Sequence, residues 1–235
     1  MTKEIDRNDK EEYASEMRLY DPDTEERLYM DAKERERFLN ASNELKRRDY
    51  RLFCQAIHWT GARPAELIEL TGNRIDVINN CIKLRTLKQR KFNRKGEVKA
   101  PQYREIPVPE SLIDSLDYLY DLRNKKRKAC PSLGLPLWAN DKDPSKHISR
   151  TTGWRIVKRA MAIAGIEGKQ SSPKGFRHGF GVAMAVAGRN IYEIQKLLGH
   201  SEASSSAIYL SVVGREAHDL QMDAWSVANK NWSKD

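Results

Sequence analysis

An arginine in the segment TGARPAELIEL has the fixed position that a phosphate clamp requires. Arg63 follows Gly61, which is expected to end one helix, and precedes Pro64, which is expected to open the next. Its guanidinium is always charged, and its planar fork matches two phosphate oxygens. Glu66, three residues further on, can reach back along the helix and hold that guanidinium. Taken alone, a surface arginine is the more frequent interpretation.

The segment SSPKGFRHGFGVAMAVAG contains a second candidate site for an anion. Lys174 and Arg177 lie three residues apart at the start of a predicted helix and therefore share one face. Two cations on one face repel each other without an anion, and a helix N-terminus adds unpaired N–H groups. His178 points about a quarter-turn away, and a packing or backbone-bonding role is favoured for it.

The segment IQKLLGHSEASSSAIYLSVVG combines a histidine with a candidate nucleophile. Gly199 and the serines let the chain turn back sharply between His200 and Tyr209. A single tyrosine is most often a half-buried core aromatic, and this chain has nine. Only the combination of the three segments selects Tyr209.

Together the three segments resemble the active-site set of the tyrosine recombinase and phage integrase family. The family's usual pattern is an arginine, a lysine in a β-hairpin, His-x-x-Arg, a His or Trp after Leu-Gly, and then the nucleophilic tyrosine. The resemblance extends over about residues 31–225. The residues at the corresponding positions here are Arg63, Lys174, Arg177, His200 and Tyr209.

Lys174 departs from this pattern because the family usually has histidine there. A lysine still contributes positive charge toward a phosphate. It could act as a base only if Arg177 and Arg63 lowered its pKa substantially. We prefer the electrostatic role.

The hairpin lysine of the family is matched by a residue of the basic segment 83–99. Lys88, just beyond the predicted strand, fits the position best, and Lys91 is the reserve. Most basic residues here are expected to contact the DNA backbone. The predicted DNA-binding residues are Lys83, Arg85, Arg90, Lys91, Arg94 and Lys95.

The resemblance implies that Tyr209 attacks a DNA phosphate, forming a 3′-phosphotyrosine and releasing a 5′-hydroxyl. Arg63, Arg177 and His200 would stabilise the transition state. Lys88 would protonate the departing oxygen. Because the covalent bond conserves the phosphodiester energy, we expect no cofactor, and no carboxylates have metal-ligand spacing.

These residues must be positioned by a mainly α-helical domain with a small antiparallel β-sheet, an α+β class. The resemblance implies the tyrosine recombinase catalytic-domain fold. Apolar periodicity and capping predict helices over 31–48, up to Gly61, over 110–128, 149–165 and 173–187, and at 191–198 and 203–210. Strands are predicted at 75–78, 81–87 and 103–108.

Composition favours a protein that binds a polyanion. The 235 residues carry a net charge of +9, and 39% are hydrophobic, enough for one sizeable core. Such a surplus fits nucleic acid better than a neutral metabolite. We predict a charged N-terminal tail or arm over 1–30, a catalytic domain over 31–213 and a C-terminal helical segment over 214–235. The DNA-clamping domain that usually precedes the catalytic domain is not expected in 1–30, which favours a minimal recombinase or a fragment.

The expected partner is double-stranded DNA. The resemblance implies a homotetramer on DNA whose protomers exchange the C-terminal segment, although docking of that segment on its own chain is equally plausible. An accessory DNA-bending protein could take part. No apolar stretch suits a membrane. An odd number of cysteines without CxxC spacing favours a reducing cytoplasm.

Two other functions fit parts of the pattern. A type IB topoisomerase would use the same chemistry as a monomer to relax DNA. A catalytically weakened DNA-binding protein of the same fold is suggested by Lys174, and the other four matching residues argue against it.

Overall fold

The computed structural model describes residues 18–87 and 100–210, with residues 212, 222 and 225. The strands are β1 (Ile75–Asp76), β2 (Cys81–Arg85) and β3 (Tyr103–Pro107). The helices are α1 (Ala32–Ser42), α2 (Arg48–Thr60), α3 (Pro64–Ile68), α4 (Glu110–Tyr120), α5 (Leu122–Arg127), α6 (Arg150–Ile163), α7 (Pro173–Val186), α8 (Ile191–Leu198) and α9 (Ser204–Leu210). Short 3-10 helices cover Gly72–Arg74 and Pro131–Gly134. The predicted α+β class is confirmed.

Local sequence explains where α1 begins and where α2 ends. The Asp31 carboxylate accepts the Glu34 N–H at 2.7 Å, and the Glu34 carboxylate accepts the Asp31 N–H at 3.0 Å, so a capping box opens α1. Gly61 ends α2 with φ of 58°. A Cβ at that position would lie 2.5 Å from the ring of Phe180, so both conformation and space require glycine.

The sheet is antiparallel in the order β1-β2-β3. Ile82 pairs with Ile106, and Leu84 pairs with Arg104. Alternation along the strands buries these four residues on one face. The sheet thus carries one arginine into the interior.

The predicted helix over 110–128 is wrong in one respect, because the chain forms two helices there. Asp121 separates α4 from α5 with φ of 54°, a conformation that aspartate tolerates better than most residues. The Asp117 carboxylate accepts the Arg123 N–H at 2.7 Å and its guanidinium at 2.9 Å. These bonds hold the turn that periodicity alone does not reveal.

The described part of the predicted N-terminal arm lies against the helical domain. Leu19 and Tyr29 are buried in an apolar cluster with Phe180 of α7. The Met30 N–H donates to the Gly175 carbonyl at 3.0 Å. The predicted boundary near residue 30 stays a prediction.

No helix in the described ranges has the length and apolar character needed to cross a membrane.

Candidate active site

Arg63 is held in the turn between α2 and α3, as its sequence context predicts. Pro64 is the first residue of α3, and the Arg63 N–H donates to Glu66 Oε2 at 3.0 Å. Arg63 Nη1 lies 3.0 Å from Glu66 Oε1, which confirms the predicted contact between these side chains. The Arg63 side chain keeps 30% of its surface exposed, whereas that of Glu66 is fully buried. The guanidinium is therefore fixed at one end and accessible from solvent.

Arg104 is a member of this site that sequence reasoning missed. Its Nη2 lies 2.6 Å from Glu66 Oε2, and its Nε donates to the Leu197 carbonyl at 2.9 Å. The signal was its place in β3, two residues before Ile106 on the face that faces the core. A buried arginine requires a partner, and Glu66 is that partner.

Arg177 joins three separate segments. It is buried in α7, its Nη1 donates to the Gly61 carbonyl at 2.9 Å, and its Nη2 donates to the Leu198 carbonyl. The first acceptor precedes Arg63, and the second ends α8. Arg177 thus positions the turn before α3 beside the end of α8.

The buried carboxylate of Glu66 lies close to three guanidinium groups. Arg177 Nη1 lies 3.9 Å from Glu66 Oε2, beside the contacts that Arg63 and Arg104 make. Burial, together with Arg63 and Arg104, lowers the pKa of Arg177 to about 9. Burial alone would raise the pKa of Glu66, but Arg104, Arg177 and Arg63 outweigh it and lower that pKa. The three guanidinium groups exceed the single carboxylate in charge, so the site has a net positive charge that favours binding of an anion.

Lys174 and Arg177 lie in different environments although they start the same helix. Lys174 is exposed, whereas Arg177 is buried. Three-residue spacing places both on roughly one side of α7, but neighbouring segments cover only Arg177. Lys174 therefore lies outside the buried site, and its charge acts on buried His178 only electrostatically.

His178 contacts the candidate nucleophile. Its Nδ1 lies 3.0 Å from the Tyr209 hydroxyl, and the histidine is 3% exposed. His178 is thus packed in the interior, as predicted, and its hydrogen bond goes to a side chain rather than to the backbone. Burial, followed by Lys174 and Arg177, lowers the pKa of His178 to about 3, so the imidazole is neutral at neutral pH.

His200 lies immediately after α8, where Gly199 turns the chain with φ of 65°. Its Nδ1 lies 3.0 Å from the Ser206 hydroxyl, and its ring stacks on Tyr209 with centroids 6.3 Å apart. Burial and the nearby arginines, Arg177 first, lower the pKa of His200 to about 3. The ring is a neutral hydrogen-bonding group at neutral pH.

Tyr209 is enclosed in α9, with 0% of its surface exposed. Its ring lies against Gly181 of α7, where an added Cβ would meet three ring atoms at 2.6–2.7 Å. Burial raises the pKa of Tyr209 to about 12, with Arg177 and Arg63 opposing the shift. The phenol is therefore protonated at neutral pH.

The predicted DNA-binding residues are only partly described. Lys83 in β2 is exposed and lies 2.9 Å from the Glu105 carboxylate. Arg85 lies 3.9 Å from the Glu69 carboxylate and is 43% exposed at its side chain. In the predicted C-terminal segment, Trp225 is exposed. The predicted residues Lys88, Arg90, Lys91, Arg94 and Lys95, and most of 214–235, lie outside the described residues.

Within the described ranges, no three His, Cys, Asp or Glu side chains are grouped so that they could hold a metal ion. Cys54, Cys81 and Cys130 are free thiols, and only Cys54 is buried.

Comparison with known protein families gives a match to the model of the Phage integrase family over residues 28–214. A tyrosine recombinase of Thermosipho africanus is 28% identical over 180 residues, which are 77% of this chain and 54% of the relative. Tyrosine recombinase XerD of Xanthomonas campestris is 28% identical over 175 residues, covering 72% of this chain and 50% of the relative. The chain thus spans about half the length of these curated relatives.

Solved structures share the fold. XerA recombinase superposes with a TM-score of 0.62 at 21% identity, covering 83% of this chain and 64% of its own. XerH recombinase in a post-cleavage complex with palindromic difH substrate gives 0.63 at 18% identity, covering 86% of this chain and 55% of its own. The predicted catalytic-domain fold is confirmed.

Proposed function

The chain belongs to the phage integrase family, and from this we propose that it cleaves and rejoins DNA at specific sites through a covalent bond between Tyr209 and a 3′-phosphate. The observation that carries the proposal is the charge balance of the site. Arg63, Arg104 and Arg177 surround the single carboxylate of Glu66, beside a buried tyrosine hydroxyl. A phosphodiester supplies the missing negative charge.

Arg63 and Arg177 are the proposed clamps on the phosphate. Arg63 retains free donors toward solvent because one nitrogen contacts Glu66 and the side chain is 30% exposed. Arg177 is held by two backbone carbonyls, so its orientation is set before DNA arrives. Donors fixed in advance need no reorganisation when charge develops on the phosphate oxygens.

His200 is proposed to donate a hydrogen bond to a phosphate oxygen. If the Ser206 hydroxyl donates to His200 Nδ1, the ring proton resides on Nε2, which can then donate. The lowered pKa keeps the ring neutral. A neutral donor adds directional stabilisation without further charge repulsion from Arg177.

In the proposed reaction, the Tyr209 oxygen bonds to phosphorus and the bond from phosphorus to the 5′-oxygen breaks. The departing oxygen needs a proton, and the family resemblance assigns its delivery to Lys88. Attack by a 5′-hydroxyl of another strand reverses these steps and rejoins the DNA. Lys174 is proposed to contribute charge from the rim of the site.

Double-stranded DNA is the proposed substrate, and strand exchange is proposed to take place in a homotetramer in the cytoplasm, with an accessory DNA-bending protein as a further partner. Support for DNA comes from the basic composition and from the family. The C-terminal segment 214–235 is the proposed exchanged element.

The decisive experiment is covalent trapping on DNA. The protein is incubated with a library of nicked duplexes, in which the short fragment that carries the new 5′-hydroxyl diffuses away, and adducts are separated in SDS. We expect an SDS-stable adduct that disappears in Tyr209→Phe. Tyr192→Phe is the matched control, since Tyr192 is 71% exposed on α8 and should leave adduct formation intact. Absence of an adduct from the unaltered protein across the library would refute the proposal.

A DNA-binding protein with weakened catalysis is the second candidate, and Lys174 is the observation that favours it. A protein with that function would slow the migration of DNA in a gel-shift assay but would form no SDS-stable adduct. Plasmid relaxation by monomers, without recombinant product, would instead favour a topoisomerase.

A further inference from the structure

The Tyr209 hydroxyl is paired inside the protein. Its hydrogen-bond partner among the described residues is His178 Nδ1, at 3.0 Å. The two rings lie with centroids 5.9 Å apart and planes tilted by 52°. The other ring nitrogen of His178, Nε2, is buried and has no hydrogen-bond partner in the described part of the chain. Among the described residues, Tyr209 is therefore the hydrogen-bond partner of the His178 ring, and no other is present.

We propose that His178 is the general base that accepts the phenolic proton of Tyr209 during attack on the phosphate, an inference that rests on the proposed function. As the tyrosine oxygen bonds to phosphorus, its O–H bond breaks and the proton moves to His178 Nδ1. The bond from phosphorus to the 5′-oxygen breaks at the same time, and that oxygen is protonated by the acid. On rejoining, the imidazolium of His178 returns its proton to the departing phenol oxygen.

Neighbouring residues are less suited to this role. Arg63 and Arg177 are cations without a lone pair. His200 stacks on the face of the Tyr209 ring, and its Nδ1 is engaged with Ser206. Lys174, at the position where the family usually has histidine, is exposed at the start of α7. His178 alone among these residues has a ring nitrogen directed at the hydroxyl.

Proton transfer is favourable only during bond formation. In the free protein the pKa of Tyr209 is about 12 and that of His178 about 3, so the proton stays on the phenol. An aryl phosphate oxygen has almost no basicity, hence the proton becomes strongly acidic as the bond to phosphorus forms. The base therefore acts in the transition state, and the free protein keeps its nucleophile neutral.

The two cations that act on His178 both make it a weaker base. Lys174 and Arg177 on its own helix both lower its pKa, and His200 lies close enough to interact electrostatically. From α1 and α2, Arg35 and His58 pack around Phe176 of the same helix. A bound phosphodiester would offset part of the positive charge of Lys174 and Arg177 and make His178 a better acceptor when substrate is present.

The test compares cleavage by His178→Asn and by the unaltered protein in single turnover from pH 5.5 to 9.5. Asparagine can place an amide oxygen near the position of Nδ1 but cannot take the proton. We expect a cleavage rate roughly 10²–10⁴-fold lower at neutral pH, the usual effect of losing an acid–base catalyst. The deficit should shrink as pH rises, because hydroxide then removes the proton.

His58→Asn is the matched control. His58 is also buried, and its pKa is likewise lowered to about 3, first by burial and then by Arg35. It contacts Trp59 and Phe176 rather than Tyr209. Its variant should keep the wild-type rate and pH profile. A His178→Asn rate equal to wild type, or lower by one constant factor at every pH, would overturn the assignment of a base.

A second measurement uses the unaltered protein without DNA, so it does not depend on whether a variant folds. Long-range ¹H–¹⁵N spectra of the unaltered protein report which ring nitrogen of His178 carries the proton. We expect Nε2–H, with Nδ1 accepting from the phenol. A proton on Nδ1 would refute the inference while leaving covalent trapping, and with it the proposed function, unaffected. Conversely, no adduct from the unaltered protein would refute the proposed function itself.

Discussion

Replacing Gly181 with alanine should destabilise the protein only while Tyr209 is present. The added Cβ would lie 2.6–2.7 Å from three atoms of the Tyr209 ring, and overpacking of this kind costs about 1–3 kcal/mol. Alanine gains about 1 kcal/mol over glycine inside a helix. The net change is therefore a destabilisation of about 0–2 kcal/mol. In a Tyr209→Ala background the clash vanishes, and Gly181→Ala should stabilise by about 1 kcal/mol.

Urea unfolding of the four proteins, followed by far-UV circular dichroism, measures this coupling. We expect an interaction free energy of about 1–3 kcal/mol between the two positions. Gly153→Ala on α6 is the control, because its nearest neighbours are Ile68 and Phe53, at 3.2 and 3.3 Å. It should not couple to Tyr209. An equal effect of Gly181→Ala in both backgrounds would refute the packed position of Tyr209.

Three further measurements address charge and protonation. Glu66→Gln should lower the free energy of unfolding in urea by about 3–5 kcal/mol, since it leaves buried arginines without their anion. Glu105→Gln, at an exposed pair, should cost less than about 1 kcal/mol, and equal losses would contradict the reasoning. Burial lowers the pKa of the histidines at 58, 178 and 200 from 6.5 to about 3, so the unfolded chain binds more protons between these values and stability should fall as pH drops from about 6.5 toward 3. His58→Asn should reduce the slope of that fall by about 1.4 kcal/mol per pH unit, and an unchanged slope in urea titrations would exclude its contribution. Lys174→His should retain single-turnover cleavage while Lys174→Ala lowers it; equal rates for alanine and wild type would mean that this position takes no part in catalysis.

The sequence determined the local features that carry the site. Gly61 ends α2 because a left-handed residue favours glycine, and Pro64 and Pro173 open helices because proline lacks an N–H. The contact between Arg63 and Glu66 follows from their spacing on one helix turn. Such features depend on a few consecutive residues, so composition and spacing were sufficient to predict them.

Tertiary structure decided which residues complete the site. Arg104 reaches Glu66 across 38 positions of sequence, and His178 reaches Tyr209 across 31. Spacing along α7 did not reveal that Lys174 is exposed while Arg177 and His178 are buried. The burial of a helix face, and the pKa of each group on it, depend on segments that pack there from distant parts of the chain. For that reason the nucleophile could be selected from its sequence motif, whereas the proposed acceptor of its proton emerged only from the folded arrangement.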